Sequence, residues 1–93
     1  MDKVALLSLA SDLKRITQSI QRNSASVKVF NQEAQKWLKI AKKTNDLSIL
    51  KVLIEVEKLL KRKDNLLKAE DCLMYSVLIQ NRVRPNRDGP GIY

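Results

Sequence analysis

The residues of this chain that could carry chemistry are mostly lysines. The sequence has no histidine and a single cysteine, Cys72. It therefore lacks the commonest general base and metal ligand, and it can form neither an internal disulfide nor a thiolate metal cluster. We also find no nucleophile–base pair, metal-ligand set or phosphate-binding loop. These absences predict a protein that is not an enzyme and uses no cofactor, metal or small-molecule substrate.

A group of lysines on the predicted second helix is the clearest candidate binding site. The whole chain has a net charge of +8, of which the first 43 residues hold +6. At 100° per residue five lysines fall on one side of this helix, where they could neutralise phosphates or carboxylates. An ordinary solvated helix face is the alternative, because no arginine lies between Arg22 and Arg62. The candidate polyanion-binding residues are Lys28, Lys36, Lys39, Lys42 and Lys43.

Other residues whose side chains could take part in binding or catalysis are better explained by structural roles. Phe30 and Trp37 could stack on bases, but they lie one heptad apart on the apolar side of the second helix and are expected in the core. Glu57 has no second catalytic group near it in sequence and is expected to pair with Lys61, four positions later. Cys72 is expected to be a small core residue.

Two helices are predicted in the first half of the chain. Apolar residues follow at steps of three and four from Leu6 to Ile20, which predicts helix 1 over about residues 2–22. The same spacing resumes later and predicts helix 2 over about 27–43. Asn and Ser side chains in residues 22–26 compete for backbone hydrogen bonds. They indicate either a turn between two helices or a weak centre within one long helix.

The second half of the chain predicts two further helices. Residues 44–46 are all good N-caps and an apolar run follows them at once, so helix 3 is predicted over about 47–62. Its apolar residues cover about two thirds of the circumference, which is typical of a central helix. Asp64 is the predicted cap of helix 4, over about 66–82. The apolar residues of helix 4 are spread almost all round it, so we expect it to be buried on more than one side.

The second half of the chain has more large apolar side chains than a single hydrophobic core needs. A helix that covers a single core has about three apolar positions in seven. Residues 47–79 have 17 large apolar side chains, more than that proportion, whereas residues 4–41 have 13, which is fewer. We therefore expect the second half to pack on two sides, against the first half and against another copy or a protein partner. Tyr75 and Leu78 are candidate contacts for that partner.

The end of the chain differs in composition from the rest. Both prolines and both glycines lie in the last nine residues, so residues 84–93 are predicted to form a flexible tail that separates from a bundle domain of residues 1–83. The tail is interpreted either as a frayed terminus or as a short linear ligand. Its candidate partner-binding residues are Arg84, Arg87, Ile92 and Tyr93.

The sequence therefore predicts an all-α protein, either a small bundle of four helices or a long helical hairpin that dimerises. The expected function is a protein–protein interaction module, such as an adaptor, inhibitor or accessory subunit, that docks through its apolar C-terminal helices. The alternative is a nucleic-acid-associated protein that binds phosphates through helix 2. No apolar run approaches the roughly 18 residues that span a bilayer. Without a disulfide framework we expect an intracellular location, cytoplasmic or nuclear.

Overall fold

Four α-helices make up the part of the chain, residues 2–84, that the computed structural model describes. They are α1 (Lys3–Gln21), α2 (Ser26–Ala41), α3 (Leu47–Leu60) and α4 (Leu66–Val83). The predicted all-α bundle is confirmed, with four helices rather than a long hairpin, and every predicted helix boundary agrees with the observed one to within two residues. The predicted separation of the tail stays a prediction, because residues 85–93 lie outside the described range.

The turn between α1 and α2 ends α1 with a residue in the left-handed region. Asn23 has a φ of 53°, which asparagine tolerates better than most residues. Its N–H donates to the carbonyl of Ile20 at 3.0 Å, and the N–H of Ser24 donates to the carbonyl of Ser19 at 2.8 Å. These two bonds define a Schellman C-cap. The polar residues 22–26 therefore form a turn, and the alternative of one long helix is wrong.

Side-chain caps begin three of the helices. The Asp2 carboxylate accepts a backbone hydrogen bond at the start of α1, and that of Asp46 does the same for α3. At α4 the predicted cap, Asp64, is wrong by one residue. Asn65 caps α4 instead, because the carboxylate of Asp64 binds the ammonium group of Lys68. Capping of this kind satisfies backbone N–H groups that have no partner within the helix.

The centre of the bundle is α1, and the prediction that α3 is central is wrong. α1 packs along both α2 and α4, whereas α3 closes the bundle through smaller contacts with α4 and α2. The wide apolar arc of α3 is not fully buried, since Leu47 and Ile54 lie exposed. Small buried side chains let α2 and α4 approach α1 closely. Examples on these three helices are Ala10, Ala34 and Ser76.

Hydrogen bonds from buried hydroxyl groups join α1 to α4. Ser76 Oγ donates to the carbonyl of Ala10 at 2.8 Å, and Thr17 Oγ1 donates to the carbonyl of Ala69 at 2.7 Å. Cys72 lies fully buried between them along α4, and burial raises the pKa of its thiol to about 11. This thiol is a core side chain, as the sequence predicts, and is not a nucleophile at neutral pH.

Residues 2–84 contain neither a membrane-spanning helix nor a metal site. None of the four helices is long and apolar enough to cross a membrane. No group of three His, Cys, Asp or Glu side chains in this range is arranged to hold a metal ion. Met1 and residues 85–93 are outside the range to which both statements apply.

Candidate functional site

One side of α4 is buried in the bundle, and the opposite side is apolar and exposed. Six large apolar side chains on that opposite side are between 37% and 66% exposed. At 100° per residue they fall within about 140° of arc. We call these six residues the α4 face: Leu66, Leu67, Leu73, Met74, Val77 and Leu78.

The predicted partner-binding residues only partly coincide with the α4 face. Leu78 belongs to it, whereas Tyr75 is partly buried against the core at the edge of a small groove between α3 and α4. Arg84 is exposed just after α4, and its N–H donates to the carbonyl of Gln80 at 2.7 Å. The remaining three lie outside the described residues: Arg87, Ile92 and Tyr93. The other five members of the α4 face were missed, because the sequence does not tell which side of this apolar helix faces α1.

Among residues 2–84, the charged groups on and around the α4 face are few and of both signs. Glu70 lies within the face, between its apolar rows, and Arg82 and Arg84 lie beyond its C-terminal end. Asp71 at its edge is neutralised by Arg62, whose Nη1 lies 2.6 Å from the carboxylate. The region around the α4 face is therefore nearly neutral in a chain whose net charge is +8.

A groove of about 630 Å³ between α2 and α3 is the second notable surface. Four of the five predicted polyanion-binding lysines line it, and Lys61 joins them from the end of α3. Lys28 is also exposed on α2 but does not line this groove. We call the site the lysine groove, and its lysines are Lys36, Lys39, Lys42, Lys43 and Lys61. Lys61 was missed because the sequence does not reveal which helix lies beside α2.

Among residues 2–84, Glu57 is the one acidic residue that lines the lysine groove. Its carboxylate accepts a hydrogen bond from Lys42 Nζ at 2.9 Å. That bond and the charge of Lys42 lower the pKa of Glu57, with a smaller contribution from the charge of Lys61. The predicted pairing with Lys61 is therefore wrong, because Lys42 lies closer across the α2–α3 contact. Among the described residues the other four groove lysines form no ion pair: Lys36, Lys39, Lys43 and Lys61.

The largest buried polar side chain, Lys68, is structural rather than available to a ligand. It is 1% exposed, and its ammonium group lies within hydrogen-bonding distance of four oxygen atoms from α2, the end of α3 and the turn that follows. The acceptors and their distances are Asn31 Oδ1 (3.2 Å), the carbonyls of Leu60 (3.2 Å) and Arg62 (3.1 Å), and Asp64 Oδ1 (2.8 Å). Such a set of acceptors compensates for removing the charge from water.

A second buried charged group, Asp12, lies between α1 and α2. It is 1% exposed, and its Oδ1 accepts a hydrogen bond from Arg15 at 3.2 Å. Its Oδ2 is buried and has no hydrogen-bond partner among the described residues. Burial, followed by the adjacent carboxylate of Glu33, raises the pKa of Asp12 to about 6, and Arg15 opposes this shift. A proton on Oδ2 would allow that oxygen to donate to Glu33.

Comparison of the chain with protein-family models, with curated proteins and with solved structures found no match. A small helical bundle by itself does not define a function, since the same architecture serves many. Function therefore has to be inferred from the two surfaces of the chain, the α4 face and the lysine groove.

Proposed function

We propose that this chain is a non-enzymatic protein-interaction module that binds its partner through the α4 face. The observation that supports this is a set of six large, exposed apolar side chains on one side of one helix. Contiguous apolar surface of this kind marks interaction sites on soluble proteins. The physical reason is that burying it is favourable by about 25 cal/mol per Å².

The spacing of the α4 face suits another helix. Leu66, Leu73 and Val77 follow one another at steps of seven and four, and a second row repeats the same steps one position later. Two such rows leave a groove between them that accepts a ridge of side chains from a facing helix. The partner's contacting element is therefore an α-helix with an apolar side.

The partner that these features favour is a second copy of the chain. If two copies of α4 pack antiparallel about a twofold axis near Tyr75, Leu73 and Met74 of one copy meet Val77 and Leu78 of the other.

The charge and the area of the α4 face agree with this pairing. The excess positive charge of the chain lies mainly in its first 43 residues, so two nearly neutral faces meet without strong repulsion. The contact would bury on the order of 1,000 Å² in total, the lower bound for a specific interface. We therefore propose a dimer of moderate affinity.

Sedimentation equilibrium tests the proposal. The wild-type chain is expected to dimerise, and Leu73→Lys combined with Val77→Lys is expected to weaken dimerisation at least about tenfold, because it places charges in the centre of the apolar contact. Val29→Lys is the matched control, since Val29 is an exposed apolar residue on α2 outside the α4 face. The control variant is expected to dimerise like the wild type.

A wild-type chain that stays monomeric at high concentration excludes the second copy as the partner. Affinity capture from cells with the wild type and with the double variant then tests a different protein partner. If no protein binds the wild type and is lost with the variant, the interaction function itself is contradicted.

A further inference from the structure

We propose that the lysine groove is a second binding site, independent of the α4 face, and that it takes the phosphate backbone of a nucleic acid. Its five lysines come from α2, the turn after it and the end of α3, and the one carboxylate that lines it among residues 2–84, that of Glu57, is engaged by Lys42. The groove therefore has a large excess of positive charge concentrated between two walls. Such a concentration attracts a polyanion and releases the counterions bound to it.

The dimensions of the groove fit a short stretch of one strand. Lys36 lies on α2 and Lys43 lies in the turn just after it, so the row of lysines from one to the other covers about 10 Å. A strand advances about 3.4 Å per nucleotide along a duplex, so this distance covers about three nucleotides. Lys61 on the opposite wall reaches the same stretch from the other side. Gln32 and Gln35, which also line the groove, supply amide groups of a kind that binds phosphate and sugar oxygens.

The apolar residues of the groove favour a phosphate backbone over an acidic helix of a partner protein. An amphipathic helix needs exposed apolar pockets for its anchoring side chains. The apolar residues that line the groove, Leu38 and Leu60, are only 4% and 3% exposed, so they offer little surface to such anchors. Phosphates need only suitably placed charges, and lysine provides these as point charges.

The described side chains that line the groove do not favour contacts with bases. Phe30 and Trp37, which could have stacked on bases, are partly buried against the core and do not line the groove. Among residues 2–84 no arginine lines it either, and arginine makes the commonest specific contact with bases. The site therefore recognises the charge and the spacing of the phosphates rather than the base sequence.

Glu57 limits the affinity of the groove for an anion. Its carboxylate neutralises Lys42, and an incoming phosphate has to replace that bond and approach a like charge. Removing the charge of Glu57 frees Lys42 and eliminates the repulsion. Glu57→Gln is therefore expected to tighten binding, whereas a substitution on an unrelated surface has no such effect.

Fluorescence anisotropy with a labelled short oligothymidylate tests the site. Contacts with three or four phosphates predict a slope of about −2 to −3 for the logarithm of the association constant against the logarithm of the salt concentration. Combining Lys36→Glu, Lys39→Glu and Lys43→Glu is expected to abolish binding while the helical circular dichroism signal is kept. Lys61→Glu is expected to weaken binding about tenfold, and Glu57→Gln to tighten it several-fold.

Lys28→Glu is the matched control, because Lys28 is exposed on the same helix but outside the groove. The proposal is overturned if Lys28→Glu weakens binding as much as Lys61→Glu, if Glu57→Gln does not tighten it, or if the wild type does not bind at low salt. Equally tight binding of polyglutamate would reject nucleic acid in favour of an acidic protein. The double variant Leu73→Lys, Val77→Lys should bind the oligonucleotide like the wild type. Dimerisation through the α4 face and nucleic-acid binding in the lysine groove are therefore tested independently.

Discussion

The Lys68 ammonium group lies 2.8 Å from the carboxylate of Asp64, which stands one helical turn earlier in the chain, just before α4 begins. Lys68 is almost fully buried, whereas the side chain of Asp64 is half exposed. The same ammonium group binds the carbonyls of Leu60 and Arg62 and the side chain of Asn31. One side chain therefore holds the end of α3, the turn after it and α2 against the first turn of α4.

Replacing Lys68 with methionine, Lys68→Met, is expected to lower the free energy of unfolding by about 2 kcal/mol. Methionine fills a similar volume, but it leaves the carbonyls of Leu60 and Arg62 without this donor. Asp64 is exposed enough to recover its hydration, so the loss is smaller than for a fully buried ion pair. Urea denaturation measures the change. Lys63→Met, at an exposed position in the same turn, is the control and should change stability by less than about 0.5 kcal/mol.

The raised pKa of Asp12 predicts that pH affects stability through this residue. Its pKa in the folded protein is about 6, above the ordinary value of 3.8, so between these two values the folded state keeps a proton that the unfolded chain has released. The contribution of Asp12 to stability therefore falls as pH rises through this window and stays low above it. Asp12→Asn cannot ionise and should remove this contribution to the pH dependence.

The comparison of wild type and Asp12→Asn isolates this group from the other carboxylates. At about pH 7.5 the variant should be more stable than the wild type by on the order of 2 kcal/mol, and at about pH 4 the difference should be close to zero. Thermal denaturation at both pH values gives the two differences. An equal difference at the two pH values would show that Asp12 does not titrate as its surroundings indicate.

The left-handed conformation of Asn23 predicts an opposite response to two substitutions. Asn23→Gly should keep or slightly raise the stability, because glycine adopts a positive φ without steric cost. Asn23→Val should lower it by about 1–2 kcal/mol, because a β-branched side chain clashes with the backbone in this conformation. Melting temperatures of the two variants measure the difference. Similar values for both would mean that the turn does not depend on this conformation in solution.

The positions of the helices could be predicted from the sequence because their causes are local. Apolar spacing of three and four residues defines each amphipathic side, and polar residues such as Asp46 supply caps within one turn. The sequence does not decide between a turn and a continuous helix at residues 22–26, since its polar residues are compatible with both. The backbone conformation of Asn23 decides it, and the presence of an asparagine does not by itself determine that conformation.

The packing of the helices against one another could not be predicted, because it depends on which side of each helix contacts its neighbour. Four groove lysines lie on one side of the predicted helix 2 and could be identified from the sequence, whereas Lys61, at the end of α3, could not. Lys68 lies within the predicted helix 4, where a lysine is usually exposed, and only the fold brings Asn31 to it. The apolar arc of α3 suggested a central helix, whereas α1 is the helix that packs along both α2 and α4.

Hydroxyl-radical footprinting below and above the concentration at which the chain associates tests whether a second copy covers the α4 face. We expect labelling of Leu73 and Met74 to fall several-fold above that concentration. Labelling of Leu47, an exposed apolar residue on α3, should not change. Unchanged labelling of Leu73 and Met74 in a sample that sedimentation shows to be dimeric would place the dimer interface on another surface and exclude the α4 face.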